Sequence, residues 1–271
     1  MFLIKKGTSM KRKTIILTLV LIFVIGIFNL SLAQNPEDQY LTQGIDFLNK
    51  QDYLKAINCF TKVLELNPTD ISGYYYRGIS YNQLERHQEA ISDYTKALEI
   101  NPEIADLYFN RAYSYDALEK HQEALADFTK TIEINPQFAE AYYYTGVIQQ
   151  GLGKTEEAMA NYTKTIEIDS QFFEAYFNRA VIYHSQDKFQ DAIADYTKTV
   201  EINPQFLDAY YNRATIYQAQ KQYQNAIADY TQVIEAAPNF QDAYHKRSFC
   251  YAGLGNMEAA KKDYETADKI K

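Results

Sequence analysis

The sequence predicts an all-α solenoid made of seven copies of one helix–turn–helix unit. Three observations carry this. Pro68, Pro102, Pro136, Pro204 and Pro238 stand 34, 34, 68 and 34 residues apart, with Ser170 at the missing beat. Tyr40, Tyr74, Tyr108, Tyr142, Tyr176, Tyr210 and Tyr244 keep the same step, as do Ala56, Ala90, Ala124, Ala158, Ala192, Ala226 and Ala260. Within each period the apolar and small residues follow helical spacing. A fixed period of this length marks a repeat architecture. One such unit cannot bury its own apolar face, and its neighbors supply the cover.

The elements follow in order along one unit. Tyr108, Ala112 and Tyr115 lie at i, i+4 and i+7, one face of a first helix. A break around Glu119-Lys120 marks the turn, after which Ala124, Phe128, Thr131 and Ile132 resume helical spacing in a second helix. Asn-Pro, as in Asn101-Pro102 and Asn135-Pro136, ends that second helix, because a residue before proline is pushed out of the helical region. The units run 37–70, 71–104, 105–138, 139–172, 173–206, 207–240 and 241–271, so residues 34–271 are expected to be solenoid.

The N-terminal stretch differs. Lys11-Arg12-Lys13 precede an apolar run from Ile15 to Phe28, and Ser31-Leu32-Ala33 close it with small residues. This is the order of a secretory signal peptide spanning 1–33, cleaved after Ala33. The run is shorter than the ~20 residues of a spanning helix, although extension to Ala33 leaves an uncleaved membrane anchor as the alternative. The full chain carries a net charge of −8. Loss of 1–33 would leave 22 basic residues against 35 acidic ones, a balance of −13. Such a body repels nucleic acid and anionic membrane surfaces, which require clustered Lys and Arg, and it favors basic partners.

The signposts Tyr74, Gly78, Tyr81, Ala90, Tyr94 and Pro102, repeated in phase over Glu37 to Lys271, resemble those of tetratricopeptide repeats. Tyr stands where that family usually has Trp. The resemblance implies a right-handed superhelix whose first helices line a concave groove for partner peptides.

The stretch DAYYNRATIY, Asp208 to Tyr217, has close copies at Asp106 to Tyr115 and Glu174 to Tyr183. Its arginine column reads Gln43, Arg77, Arg111, Thr145, Arg179, Arg213, Arg247. Sixteen residues later stand Cys59, Asp93, Asp127, Asn161, Asp195, Asp229 and Asp263. Arginine and aspartate are missing from the same two units, which predicts that they touch. Each pair is expected to be a strut across the hairpin, with guanidinium facing carboxylate. Asp127, Lys130 and Glu133 step by three along a second helix and read as a solvated, mutually paired face. Cys59 is expected to be a partly covered free thiol and Cys250 a buried one, too far apart to bond. Lys261 and Asp268 in the last unit, and Asp46 in the first, occupy columns that are otherwise apolar, so both ends of the stack should be polar and the protein monomeric.

The remaining surface of the first helices carries the candidate site. An aromatic column holds Tyr75, Phe109, Tyr143, Phe177, Tyr211 and His245. An acidic column holds Asp106, Glu140, Glu174, Asp208 and Asp242, and a mixed column includes Tyr113 and Phe249. Inter-repeat packing and groove lining compete evenly for the aromatics, whereas the acids favor the groove. Asn110, Asn178 and Asn212 form a broken ladder interrupted by Tyr76, Tyr144 and Lys246. In some solenoids of the resembling family, such a ladder bonds the backbone of an extended peptide.

Gly151-Leu152-Gly153-Lys154-Thr155 lacks the spacing of a phosphate loop and falls in a turn. The four histidines show no metal-ligand spacing. No cofactor, metal site or catalytic group is therefore expected. The sequence reads as an exported, periplasmic or secreted, non-enzymatic scaffold that binds basic or extended protein segments. The alternatives are a membrane-tethered scaffold and a self-associating structural protein.

Overall fold

The computed structural model describes residues 35–270. The segment read as signal peptide or anchor, 1–33, lies outside the described residues. Among the described residues no helix is long and apolar enough to cross a membrane.

The helices pair along the chain: α1 (Pro36–Asn49) with α2 (Tyr53–Leu66), α3 (Ile71–Gln83) with α4 (His87–Ile100), α5 (Ala105–Ala117) with α6 (His121–Ile134), and α7 (Ala139–Gly151) with α8 (Thr155–Ile168). Then come α9 (Phe173–Ser185) with α10 (Phe189–Ile202), α11 (Leu207–Ala219) with α12 (Tyr223–Ala236), and α13 (Gln241–Gly253) with α14 (Met257–Ala267). Each second helix also packs on the first helix of the next pair. The result is a right-handed α-solenoid.

Backbone geometry explains both kinds of turn. Within a pair, the first helix closes as in the third unit. There the Lys120 N–H donates to the Tyr115 carbonyl at 2.9 Å and the Glu119 N–H to that of Asp116 at 2.9 Å. The residue between takes a left-handed φ, 60° at Glu119 and 75° at Gly153. Gln51, Glu85, Glu119, Asp187 and Lys221 all hold this conformation without being glycine, each at a cost of about 1 kcal/mol. Between pairs, Asn67, Asn101, Asn135 and Asn203 accept from the N–H two residues on at 3.0–3.2 Å. Asp169 does the same for Gln171 at 2.9 Å. The fourth unit therefore keeps its boundary although Ser170 replaces proline.

The core is a row of shared sites. Ala90, Ala124, Ala158, Ala192 and Ala226 are fully buried, and so are Tyr94, Phe128, Tyr162, Tyr196 and Tyr230 on the same second helices. Cys250 is buried and Cys59 partly so, both as free thiols.

The predicted struts form in all five units that carry both residues. Arg77, Arg111, Arg179, Arg213 and Arg247 each grip Asp93, Asp127, Asp195, Asp229 and Asp263 respectively through Nε and Nη2, at 2.7–2.9 Å. Asp127 is therefore buried and does not belong to a solvated face; only Lys130 and Glu133 pair at the surface, 3.1 Å apart. The strut also reaches further than one hairpin. Nη1 of each arginine donates to a threonine of the preceding unit, Thr61, Thr95, Thr163, Thr197 and Thr231, at 2.9–3.2 Å. At Arg111, Arg179, Arg213 and Arg247 tyrosines one turn away on each side flank the guanidinium, as Tyr210 and Tyr217 do Arg213 at 5.6 and 6.0 Å, and at Arg77 Tyr74 does so at 5.8 Å. In the fourth unit Thr145 and Asn161 do not bond each other. Thr145 turns onto the Ala141 carbonyl and Asn161 onto Gln149 and the Glu157 carbonyl. Burial pushes the Asp93 carboxyl up even though Arg77 pulls it down, while the bond to Asp93 pushes the Arg77 guanidinium up.

At the C-terminal end, Lys261 and Asp268 are exposed as predicted. Tyr264 is 55% exposed beside them, however, whereas Tyr230 at the same position one unit earlier is 0% exposed. This end of the stack is thus mixed rather than wholly polar.

Replacing Arg179 by Thr or Asp195 by Asn should each cost about 3 kcal/mol, because the partner is left buried and unpaired. The double variant, which copies the fourth unit, should cost about 1 kcal/mol less than the sum. Urea titrations of the four proteins in the cycle measure this coupling.

Candidate functional site

All of the sequence-predicted site residues lie on first helices. Tyr75 is on α3; Asp106, Phe109, Asn110 and Tyr113 are on α5; Glu140 and Tyr143 are on α7. Glu174, Phe177 and Asn178 are on α9; Asp208, Tyr211 and Asn212 are on α11; Asp242 and His245 are on α13. Spacing of three and four residues within each helix puts the acid, the ring and the amide on one side. The period then aligns these sides from unit to unit.

The rings are half-buried, and Phe109, Tyr143, Phe177 and Tyr211 are each wedged between two helical pairs. Phe109 contacts Phe128 of its own unit at 5.6 Å and Phe138, at the entry of the next, at 4.7 Å. Tyr143 does the same with Tyr162 and Phe172 at 6.0 and 4.9 Å, and Phe177 with Tyr196 and Phe206 at 5.8 and 4.8 Å. Tyr211 meets Tyr230 and Phe240 at 5.9 and 5.3 Å. Tyr75 meets Tyr94 at 6.4 Å, and His245 meets Tyr264 at 5.3 Å. Tyr113 lies edge-on to Tyr144 at 6.2 Å. Inter-repeat packing thus occupies one side of the Phe109, Tyr143, Phe177 and Tyr211 rings, whereas the ring partners of Tyr75 and His245 belong to their own units. The entry residues Phe138, Phe172, Phe206 and Phe240 escaped the sequence reading. Their signal was a further column at the same period, just after each Pro or Ser beat.

Hydrogen bonds tie the columns together across units. The Asn178 amide donates to the Tyr143 hydroxyl at 3.2 Å, and the Tyr211 hydroxyl donates to the Asp242 carboxylate. The Asn110 amide donates to the Asp106 carbonyl at 2.7 Å. The amides of Asn110 and Asn178 therefore already have partners within the solenoid, while Asn212 is half-buried on the same side.

The acids are electrostatically distinct. Burial pushes the carboxyls of Asp106, Glu140, Glu174 and Asp208 above their ordinary range. Glu140 is pushed further by Asp169 and by Asp106 of the preceding unit. Among the described residues none of these four is in an ion pair. On the second helices the arrangement is the opposite, since Lys62, Lys96, Lys130, Lys164 and Lys198 each meet a glutamate three residues on, at 2.5–3.1 Å. These lysines are thus spent on the second helices and the first-helix arginines on their struts, which leaves Asp106, Glu140, Glu174 and Asp208 in no ion pair among the described residues. Asp242 departs from the row: it takes the Tyr211 hydroxyl and lies 4.0 Å from Lys246. Among the described residues no group of three or more His, Cys, Asp and Glu could hold a metal ion.

Because its ring bridges two units, Phe177→Ala should lower stability by about 3 kcal/mol. His245→Ala, with one ring contact at the end of the stack, should cost under about 1 kcal/mol. Denaturant midpoints of the two variants against the parent check the difference.

Family models described as tetratricopeptide repeats match 71–104, 105–138, 173–206 and 207–240, with related repeat models over 47–70, 128–160, 151–187 and 241–271. The comparison with curated proteins found no match. Among solved structures, PilF of Pseudomonas aeruginosa aligns with a TM-score of 0.68 at 14% identity, covering 80% of this chain and 97% of that one. A tetratricopeptide repeat protein of Parabacteroides merdae gives 0.62 at 20% identity, covering 87% and 93%. YrrB, described as a tetratricopeptide repeat protein with an unusual peptide-binding site, gives 0.57 at 22% identity, covering 69% and 96%. With the periodic core, the in-phase hairpins and repeat models matching from 47 to 271, the chain belongs to the tetratricopeptide repeat family.

Proposed function

We propose that this protein is a non-enzymatic interaction scaffold whose first-helix carboxylates dock an extended, basic segment of a partner protein. The observation that carries this is the row Asp106, Glu140, Glu174 and Asp208, one acid per unit, partly buried and without a cation. Partial burial makes each ionized carboxylate costly. A lysine or arginine from a partner relieves that cost, and the regular step along the stack suits an extended chain better than a compact one. The half-open rings beside the row supply apolar contact, since apolar patches rimmed by polar groups mark interaction sites. YrrB, with its described peptide-binding site, is a precedent within the same fold. We place this activity outside the cytoplasm, on the signal-like order of Lys11-Arg12-Lys13, the apolar run and Ser31-Leu32-Ala33. N-terminal sequencing of the processed protein checks this: a chain starting at Gln34 supports export, and a retained Met excludes cleavage.

Docking is tested by fluorescence anisotropy with a lysine-rich synthetic peptide. Glu140→Gln with Glu174→Gln should weaken its binding about three- to tenfold. The melting temperature should stay level or rise, because two penalized charges are removed. Unchanged affinity would refute the reading, and so would weaker binding accompanied by a collapse in stability.

The pH dependence has a defined sign. With folded-state values above the ordinary range, the folded chain binds these protons more tightly than the unfolded one. The stability contributed by the row is therefore lowest above the raised values and grows as pH falls through them. Peptide affinity should run the other way, full near neutrality and declining on acidification before free carboxylates, at about 4, titrate. Anisotropy and thermal melts over one pH series should show these opposite slopes.

A further inference from the structure

Two lysines join the acidic first-helix surface at one end. Between the sixth and seventh units lies a cleft of 340 Å³ whose lining includes Thr215, Gln218, Lys221, Tyr223, Lys246 and Phe249. Both lysines break the period. The left-handed turn position of Lys221 is held elsewhere by Gln51, Glu85, Glu119, Gly153, Asp187 and Gly255. The position of Lys246 is held by Asn110, Asn178 and Asn212, or by Tyr76 and Tyr144. Phe249 is 57% exposed where Ile79, in the same column, is 2% exposed. The Tyr223 ring stands edge-on to Phe249 at 6.2 Å. It reaches this place because Gly253 has no side chain, as a Cβ there would come within 2.5 Å of the ring.

The polar groups left for a ligand are donors. Lys221 is in no ion pair among the described residues, and Lys246 has a stretched 4.0 Å pair with Asp242, whose carboxylate already takes the Tyr211 hydroxyl, and lies 5.9 Å from the center of the Tyr211 ring. The Gln218 carbonyl oxygen accepts from the Tyr230 hydroxyl at 2.8 Å, which leaves its amide nitrogen to donate. The Thr215 hydroxyl is committed to the Asn212 carbonyl at 2.7 Å. Two ammonium groups and an amide beside an apolar aromatic wall complement a carboxylate next to an apolar side chain.

We propose that this cleft binds a Glu or Asp side chain next to an apolar residue of the partner peptide, so that the groove takes its partner in one direction. The basic part lies along the third to sixth units and the acidic–apolar part at the sixth and seventh. This rests on the docking reading for the carboxylate row, since Thr215, Gln218, Lys246 and Phe249 stand on the first helices that carry Asp208 and Asp242, with Lys221 in the turn after α11 and Tyr223 at the start of α12.

The test uses the full chain and amidated synthetic peptides that share a lysine-rich half and end in Phe-Glu or Phe-Gln. The Phe-Glu probe should bind about tenfold tighter. Lys221→Gln with Lys246→Asn, residues found at these positions in other units, should erase that preference while leaving the Phe-Gln affinity and the thermal melt unchanged. Equal binding of the two probes to the parent, or a preference that survives in the double variant, overturns the proposal. A Phe-Gln probe with a free C-terminal carboxylate that outcompetes amidated Phe-Glu would overturn it too, by assigning the cleft to a chain end. A Phe-Glu preference that persists after the lysine-rich half is replaced by serine, with no loss of affinity, upholds the cleft and removes the docking reading for the row instead.

Discussion

Every unit depends on its successor for burial. Tyr94, Phe128, Tyr162, Tyr196 and Tyr230 are each fully covered, whereas Tyr264, with no unit packed over it among the described residues, is 55% exposed. The residue sits at the same place on the same kind of helix in each case, so the difference is the neighbor alone. Folding of one hairpin therefore has to be coupled to folding of the next, as expected for a quasi-one-dimensional stack. Five non-glycine residues in left-handed turns show that this shared burial outweighs recurring local strain.

Hydrophobic cover alone would allow neighboring units to slide or rotate, because it has no direction. The arginine strut supplies direction. Its two bonds to aspartate set the spacing within a hairpin, and its third bond, to a threonine of the preceding unit, sets the angle between hairpins. Tyrosines on either side hold the guanidinium plane. The fourth unit, without the strut, stays in line through its rings, with Tyr143 tilted against Phe172 and Phe128 stacked on Tyr144. Packing and polar geometry are thus partly interchangeable along the stack.

The candidate surface shares residues with the scaffold. Phe109, Tyr143, Phe177 and Tyr211 each spend one side of the ring on inter-unit contact and remain half-buried, so these residues belong to the scaffold as well as to the surface. The acids have no such structural duty. Asp106, Glu140, Glu174 and Asp208 stand partly buried in no ion pair among the described residues, with Glu140 pushed further by Asp106, while Lys130 and Lys164 of the second helices are already paired. Uncompensated charge on a periodic face is what an extended partner of opposite charge can use.

Much of this was legible in the residues themselves. The period, the hairpin, the breaks at Asn-Pro and the arginine–aspartate pairing all follow from residue type recurring at fixed offsets, since helical geometry turns offset into direction. The threonine third of the strut escaped the sequence reading, although a threonine stands sixteen residues before each arginine and Thr129 precedes Thr145, where the arginine is missing; that the third nitrogen reaches back to it depends on how adjacent hairpins pack. Nor could the sequence decide how far the aromatic column is covered, how exposed Tyr264 is, or that Lys221, Tyr223, Lys246 and Phe249 meet in one cleft. Those facts depend on how adjacent hairpins lie against each other. That is set by the angle at which ridges of side chains interlock, and it belongs to pairs of units rather than to any one of them.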